Sequence, residues 1–272
     1  ITGEKGVKQQ NPRMVSILNY FTNLTKKLNP KLKIKSQVEY WIHITGNKKN
    51  WTVVQIGAND GKTKDPLHKS ILKNKKWKML FVEPVPYLFE KLKTHYPDST
   101  RFLFENTAIN NGTRQEFYWV DQKAKYILGN LPDWYDQLGS FDKNHISKHL
   151  NGILTPFIVS TSIKGITLKT LLQKHGIQQI DLLRIDCEGH DWKILRQLDL
   201  TRFKPSLILF EMKHLNREEL KAALLFLYND YQVYQFEGDF LCFSKVEYNE
   251  LSKKDIKYLL DFHSIESLKN KL

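Results

Sequence analysis

Short apolar runs alternate with longer amphipathic ones along most of the chain. Val53, Val54 and Ile56 form a compact run with β-branched residues, the pattern of a strand buried on both faces. Runs at 79–82, 102–105, 180–185 and 207–210 repeat it. Between them, apolar residues at helical spacing predict helices over 66–75 and 87–96. Pro66 suits a first helical turn. Further helices are predicted from Thr167 to a stop at Gly176, from Gly189 to about Leu198, and over 216–229. Asn216 and Glu219 have the three-residue spacing of a capping box. The alternating aromatic stretch 115–120, entered through Asn110-Asn111-Gly112, predicts a hairpin strand. Residues 231–236 and 240–246 flank Glu237-Gly238-Asp239 and predict a terminal hairpin. Strands alternating with helices give an α/β, doubly wound sheet, into which the last hairpin inserts an antiparallel strand.

Three stretches depart from this rhythm. Residues 11–50 carry two amphipathic patterns, so 1–49 reads as a helical cap that either packs on the sheet or covers a ligand. Residues 121–165 are rich in aromatics, Gly, Pro, Asp and His without a clear period. They read as an insertion into a domain spanning 50–246, of the kind that carries substrate contacts. Residues 247–272 read as a lysine-rich helical tail.

Composition narrows the field modestly. The chain has 272 residues, 41% hydrophobic and 26% charged, which is globular rather than disordered. Its net charge of +13 admits an acidic partner such as nucleic acid. The lysines are scattered, however, which favours a solvated surface. Two cysteines in apolar runs imply no disulfide framework and fit a reducing cytoplasm. No apolar run is long enough to span a bilayer, and no signal-peptide core stands at the start, so a cytoplasmic location is expected.

The densest candidate chemistry begins at 51–61, WTVVQIGANDG. A strand ending in a glycine turn lets the backbone approach a nucleotide-like ligand where Gly57 lacks a Cβ. The spacing is not that of a dinucleotide fingerprint, because Gln55 and Asn59 stand where glycines would be. Glu83 ends the next strand, where an acid accepts hydrogen bonds from ribose hydroxyls. Asp60 either meets a ligand ammonium or caps the following helix. Residues 106–109 either hold an adenine ring or form an ordinary strand exit. Gly57, Glu83, Asn106, Asp186 and Glu211 all lie at predicted strand ends, which places them around one crevice.

Asp186-Cys187-Glu188-Gly189-His190 is the second cluster. Alternate positions put both carboxylates on one side of an extended chain. They can orient a substrate hydroxyl, act as a general base, or bind a divalent cation with Glu211. The alternative is that they cap the next helix. His190 reads as a surface histidine. His145 and His149 lie four apart, on one face if helical. The absence of H-E-x-x-H and of a nearby cysteine speaks against zinc, while either histidine suits a base. Trp134, Tyr135, Ser140 and Phe141 either line an acceptor pocket or pack the insertion onto the sheet.

At VVQIGANDGKT, FVEPVP, ENTAIN, EFYW, LLRIDCEGHDWKIL and LILFEMKHL the chain resembles the FkbM-type family of S-adenosylmethionine-dependent methyltransferases. The resemblance covers about 50–246 and leaves 1–45 and the tail outside. It implies a class I methyltransferase (Rossmann-like) fold with S-adenosylmethionine in the crevice. By motif position Gly57 takes the methionine moiety, Glu83 the ribose, and Asn106, Thr107 and Ala108 the adenine. Gln55, Ala58, Asn59, Asp60, Pro84 and Asp186 complete the expected cofactor set. Asp186, Glu188 and His145 are the candidates for handling the acceptor's proton. The implied activity is O-methyl transfer to a glycan or small metabolite; whether a metal takes part is left open. A nucleic-acid methyltransferase and a catalytically idle binding module are the alternatives.

Overall fold

A computed structural model of the chain describes residues 34–265, except 36 and 48. The first of the two helices expected in 11–50 lies outside the described residues. The second is α1 (Val38–Gly46), which buries Trp41 and Ile42. There follow β1 (Thr52–Ile56), α2 (His68–Lys73), β2 (Lys78–Val82), α3 (Pro86–His95), β3 (Phe102–Glu105) and β4 (Arg114–Val120). The middle of the chain forms α4 (Lys123–Leu128), α5 (Lys143–Ser147), two short 3-10 turns and β5 (Ile158–Lys164). Then come α6 (Leu168–Lys174), β6 (Leu182–Ile185), α7 (Asp191–Leu195), β7 (Leu207–Glu211) and α8 (Arg217–Leu227). Asn216 and Glu219 make the reciprocal capping box at the start of α8. The chain closes with β8 (Tyr231–Phe236), β9 (Asp239–Ser244), α9 (Lys245–Glu250) and α10 (Lys253–His263).

Seven strands form one sheet in the order β3-β2-β1-β6-β7-β9-β8. Its strands run parallel except β9, which is antiparallel to both β7 and β8. This is the class I methyltransferase arrangement. Neighbouring residues on a strand face opposite sides, and both sides are apolar. Val53 therefore joins a core with Trp41, Trp77, Phe81 and Phe243, while Val54 joins another with Leu171, Leu183, Phe210 and Ala223. The strand order reverses between β1 and β6, so a crevice opens at their carboxyl ends.

The expected hairpin around 115–120 takes a different form. β4 does not pair with β3; it pairs antiparallel with β5, from Arg114↔Lys164 to Val120↔Ile158, as a separate two-stranded sheet. β5 lies inside the segment read as an insertion. Its exposed Ser160, Thr161 and Ser162 give it no apolar alternation by which to be read. Val120, at the end of β4, builds a core with Leu131, Tyr135, Leu138, Ile146 and Leu154 from the stretch between the two strands. No helix among the described residues is long and apolar enough to cross a membrane.

Candidate functional site

The glycine turn after β1 is held against β6. Gly57 has φ +76, and a Cβ there would lie 1.8 Å from the Asp186 carbonyl oxygen. The N–H groups of Gly57 and Ala58 both donate to the Val82 carbonyl at 3.0 Å. Glycine is thus required twice, for its left-handed backbone and for the close approach of the next strand's exit.

Glu83 is buried at 2% exposure. Its Oε2 accepts the Asn59 N–H and its Oε1 the Val85 N–H, each at 2.8 Å. Burial pushes its carboxyl up to about 7, outweighing those two bonds, which favour the ionised form. A buried acid poised near neutrality at the mouth of a sheet is a mark of a functional site.

The crevice at these strand ends is narrow, with about 30 Å³ of free volume. Of the residues expected at the cofactor, Gly57, Asn59, Glu83, Pro84, Thr107, Ala108 and Asp186 line it. Ile109, Phe117 and Ile194 add apolar wall. Four of the expected residues lie outside this lining. Gln55 is fully buried and donates through Nε2 to Asp65 Oδ2 at 2.8 Å. Ala58 packs in the core. Asp60 caps its own turn, accepting from Lys62 N–H, Thr63 N–H and the Thr63 hydroxyl. Asn106 donates to the carbonyls of Glu83 and Pro84, at 2.8 and 3.2 Å, and so fastens β3 to β2 from outside.

The exit of β6 is stretched around a second hollow. Glu188 has φ 49, a left-handed conformation unusual outside glycine. The buried Asp191 carboxyl holds this turn by accepting the N–H groups of Cys187 and Gly189. Burial pushes the Cys187 thiol well up, so it sits there as a neutral group. Asp186 Oδ2 accepts from the buried Arg184 guanidinium at 2.8 Å.

The second hollow is wider, about 680 Å³, and is lined by His145, Lys148, His149, Glu188, His190 and His214, among others. Phe141, Glu188 and His190 line both hollows, so the two share a wall. Ser140 joins the wall by exchanging backbone bonds with Tyr118, while Trp134 and Tyr135 pack in the core formed between β4 and β5. His190 is therefore not a surface residue. It lies against Phe141 with ring centroids 4.8 Å apart, and burial lowers its pKa to about 4.

Two histidines of α5 and its exit meet the β6 and β7 exits here. His145 Nε2 lies 2.8 Å from Glu188 Oε2, and His214 Nε2 lies 3.3 Å from the same oxygen. Burial, then the His145 ring, lower the His214 pKa to about 4. Burial and the Glu188 and Asp186 carboxylates push Glu211 up. Sequence reading did not single out His214. The signal was Glu211-Met212-Lys213-His214, a histidine one turn beyond a strand-end acid, but only the fold brings it to the histidines of α5.

Residues 55–237 match the family described as the methyltransferase FkbM domain. No curated protein sequence matches the chain. Among solved structures, an O-methyltransferase from Bacillus cereus in complex with SAH aligns at TM-score 0.41 and 9% identity, covering 88% of this chain and 93% of that one. A methyltransferase from Geobacter sulfurreducens aligns at TM-score 0.40 and 11% identity, covering 88% and 91%. A fibrillarin/Nop5p complex aligns at 0.37 and 12%, covering 78% and 81%. Similarities this distant decide nothing by themselves. With the family match spanning most of the chain and the strand order of a class I methyltransferase, the chain belongs to the FkbM methyltransferase family.

Proposed function

We infer that this chain transfers the methyl group of S-adenosylmethionine to a hydroxyl of a glycan or small metabolite. The observation that supports it most is that the two hollows share a wall. The crevice that holds Glu83 and the hollow that holds His145 are both lined by Phe141, Glu188 and His190.

The residues present fit the cofactor. Gly57 and Asn59 line the part of the crevice for the amino-acid end, Glu83 is the acceptor for ribose hydroxyls, and Thr107, Ala108 and Ile109 form the wall for the adenine. When bound, S-adenosylmethionine supplies an activated methyl on a sulfonium. The protein's part is to align the acceptor, exclude water and handle one proton. Asp186 is tied to Arg184, so the Glu188–His145 pair is the better candidate for that proton.

The lining of the acceptor hollow carries two lysines, Lys148 and Lys193, against three carboxylates, Asp142, Glu188 and Glu219. A track for a phosphate chain would be strongly basic. The hollow therefore favours an uncharged hydroxyl acceptor over nucleic acid.

Calorimetric titration with S-adenosylhomocysteine is the first test, with one equivalent bound expected. Labelled S-adenosylmethionine is then offered to panels of sugars, hydroxylated metabolites and nucleic acids. Failure to take up either nucleoside would make the chain an idle member of its family. Label carried only by nucleic acid would overturn the acceptor class.

A further inference from the structure

We propose that His145, His149, Glu188, Glu211 and His214 form a binding site for one divalent transition-metal ion of the zinc type. These groups come from three separate parts of the chain, the α5 region and the exits of β6 and β7. The candidate ligand atoms of Glu188, Glu211 and His214 all lie within 4.8 Å of one another, as do those of His145, His149 and His214. Around an ion with bonds of about 2.0–2.2 Å, neighbouring ligand atoms stand roughly 3–3.5 Å apart. The separations of 2.8 Å from His145 to Glu188, 3.3 Å from His214 to Glu188 and 3.6 Å from His214 to Glu211 fall near that spacing.

Two unpartnered atoms point to a missing ligand. His145 is 9% exposed, and its Nε2 makes no hydrogen bond although Glu188 Oε2 is close; the approach is off the line such a bond needs. Glu211 Oε2 is likewise buried without a hydrogen-bond partner. Buried polar atoms in folded proteins are seldom left so. His149 is set up in the usual manner of a ligating histidine. Its Nδ1 faces the His145 carbonyl at 2.9 Å and must donate to it, which leaves the Nε2 lone pair free.

The donor set selects the ion. Magnesium and calcium take oxygen ligands, whereas three imidazoles with two carboxylates suit zinc or its neighbours. The cluster also stands among further carboxyl groups, Asp186 and Asp191, and the buried cation there, Arg184, is already paired with Asp186. His145, His149, Glu188 and His214 face the acceptor hollow, whereas Glu211 is not part of its lining. Three of these donors suffice for a zinc-type ion, which would leave a fourth position for the acceptor.

The ion's role rests on the proposed methyl transfer. A hydroxyl at the open position would be polarised and would pass its proton to the second carboxylate oxygen of Glu188 as its own oxygen attacks. The new C–O bond forms while the C–S bond breaks, and the sulfur keeps that electron pair.

Chelator-stripped full chain is titrated calorimetrically with zinc chloride and, separately, magnesium chloride, with S-adenosylhomocysteine uptake measured on the same samples. One equivalent of zinc is expected, with no magnesium uptake. His145→Ala and His214→Ala should each weaken zinc binding at least tenfold while homocysteine-nucleoside uptake persists. X-ray absorption of the zinc-loaded wild-type chain should show imidazole ligands, a readout that needs no variant to fold. No zinc uptake, or a ligand shell without imidazole, would overturn the site. Full methyl transfer by the stripped chain would overturn the ion's role while leaving the proposed activity standing.

Discussion

Glu83 reaches from the end of β2 to accept the Asn59 backbone N–H at 2.8 Å, so one carboxylate fixes the second strand's exit to the glycine turn of the first. The same group faces the crevice as its buried acid. Anchoring and ligand recognition are therefore joined in one side chain.

Glu83→Ala is expected to weaken S-adenosylhomocysteine binding by about tenfold or more, since a charge-assisted hydrogen-bond acceptor is worth roughly 1.5–3 kcal/mol. Calorimetry reads this directly. Affinity equal to wild type would show that the ribose is held elsewhere.

Glu83 also makes a pH prediction. Its folded carboxyl titrates at about 7, above the ordinary 4.5. Between those values the folded chain keeps a proton that the unfolded chain has lost. Stability therefore falls as pH rises through that window and levels above it. The size is of order 3 kcal/mol, and Glu83→Gln should abolish this component. Urea denaturation of both proteins at pH 5 and pH 8 compares the slopes; parallel curves would contradict the assignment. Nucleoside affinity should move the opposite way, strengthening as the carboxylate ionises above pH 7.

Two glycines with similar φ should respond very differently to alanine. Gly57→Ala would drive a methyl group into the Asp186 carbonyl, whereas Gly176, at φ +62 beyond the end of α6, has nothing within 4 Å of an added Cβ. Gly176→Ala is expected to cost about 1 kcal/mol, the left-handed penalty alone. Gly57→Ala should cost several times that and remove nucleoside uptake. Thermal melts of the pair decide it, and similar losses would refute the claim that β6 constrains the turn.

The proton-handling assignment separates from binding. Glu188→Gln and His145→Ala should each lower kcat for methyl transfer by about a hundredfold or more. Their affinity for S-adenosylhomocysteine should stay within about twofold of wild type, because Glu83, Thr107 and Ala108 are untouched. Single-turnover rates alongside calorimetry test this. An undiminished rate in both variants would move the base to another residue, Asp186 first.

Strands β1, β2, β3, β6 and β7 were legible because each is a short run apolar on both faces. The strand-end rule then gathered Gly57, Glu83 and Asp186 at one crevice. Local pattern failed where the deciding contact is distant. Strand β4 shows its alternation plainly, but its partner starts 38 positions beyond its last residue (120 to 158) and exposes Ser160, Thr161 and Ser162. Gln55 looked like a ligand residue from its place in the motif, yet strand alternation turns it toward Asp65. His214 was invisible as a partner of His145 because nothing local relates residues 69 positions apart (145 to 214).

The β4–β5 ribbon is hydrogen-bonded as a sheet of its own, and the stretch between its strands folds on a private core. It meets the rest of the chain through side chains instead, Phe117 packing with Val85, Leu88 and Ala108. Changes at its outward positions, Ser160, Thr161 and Ser162, therefore need not alter the register of the parallel strands, whereas a change at Phe117 would be felt beside the crevice.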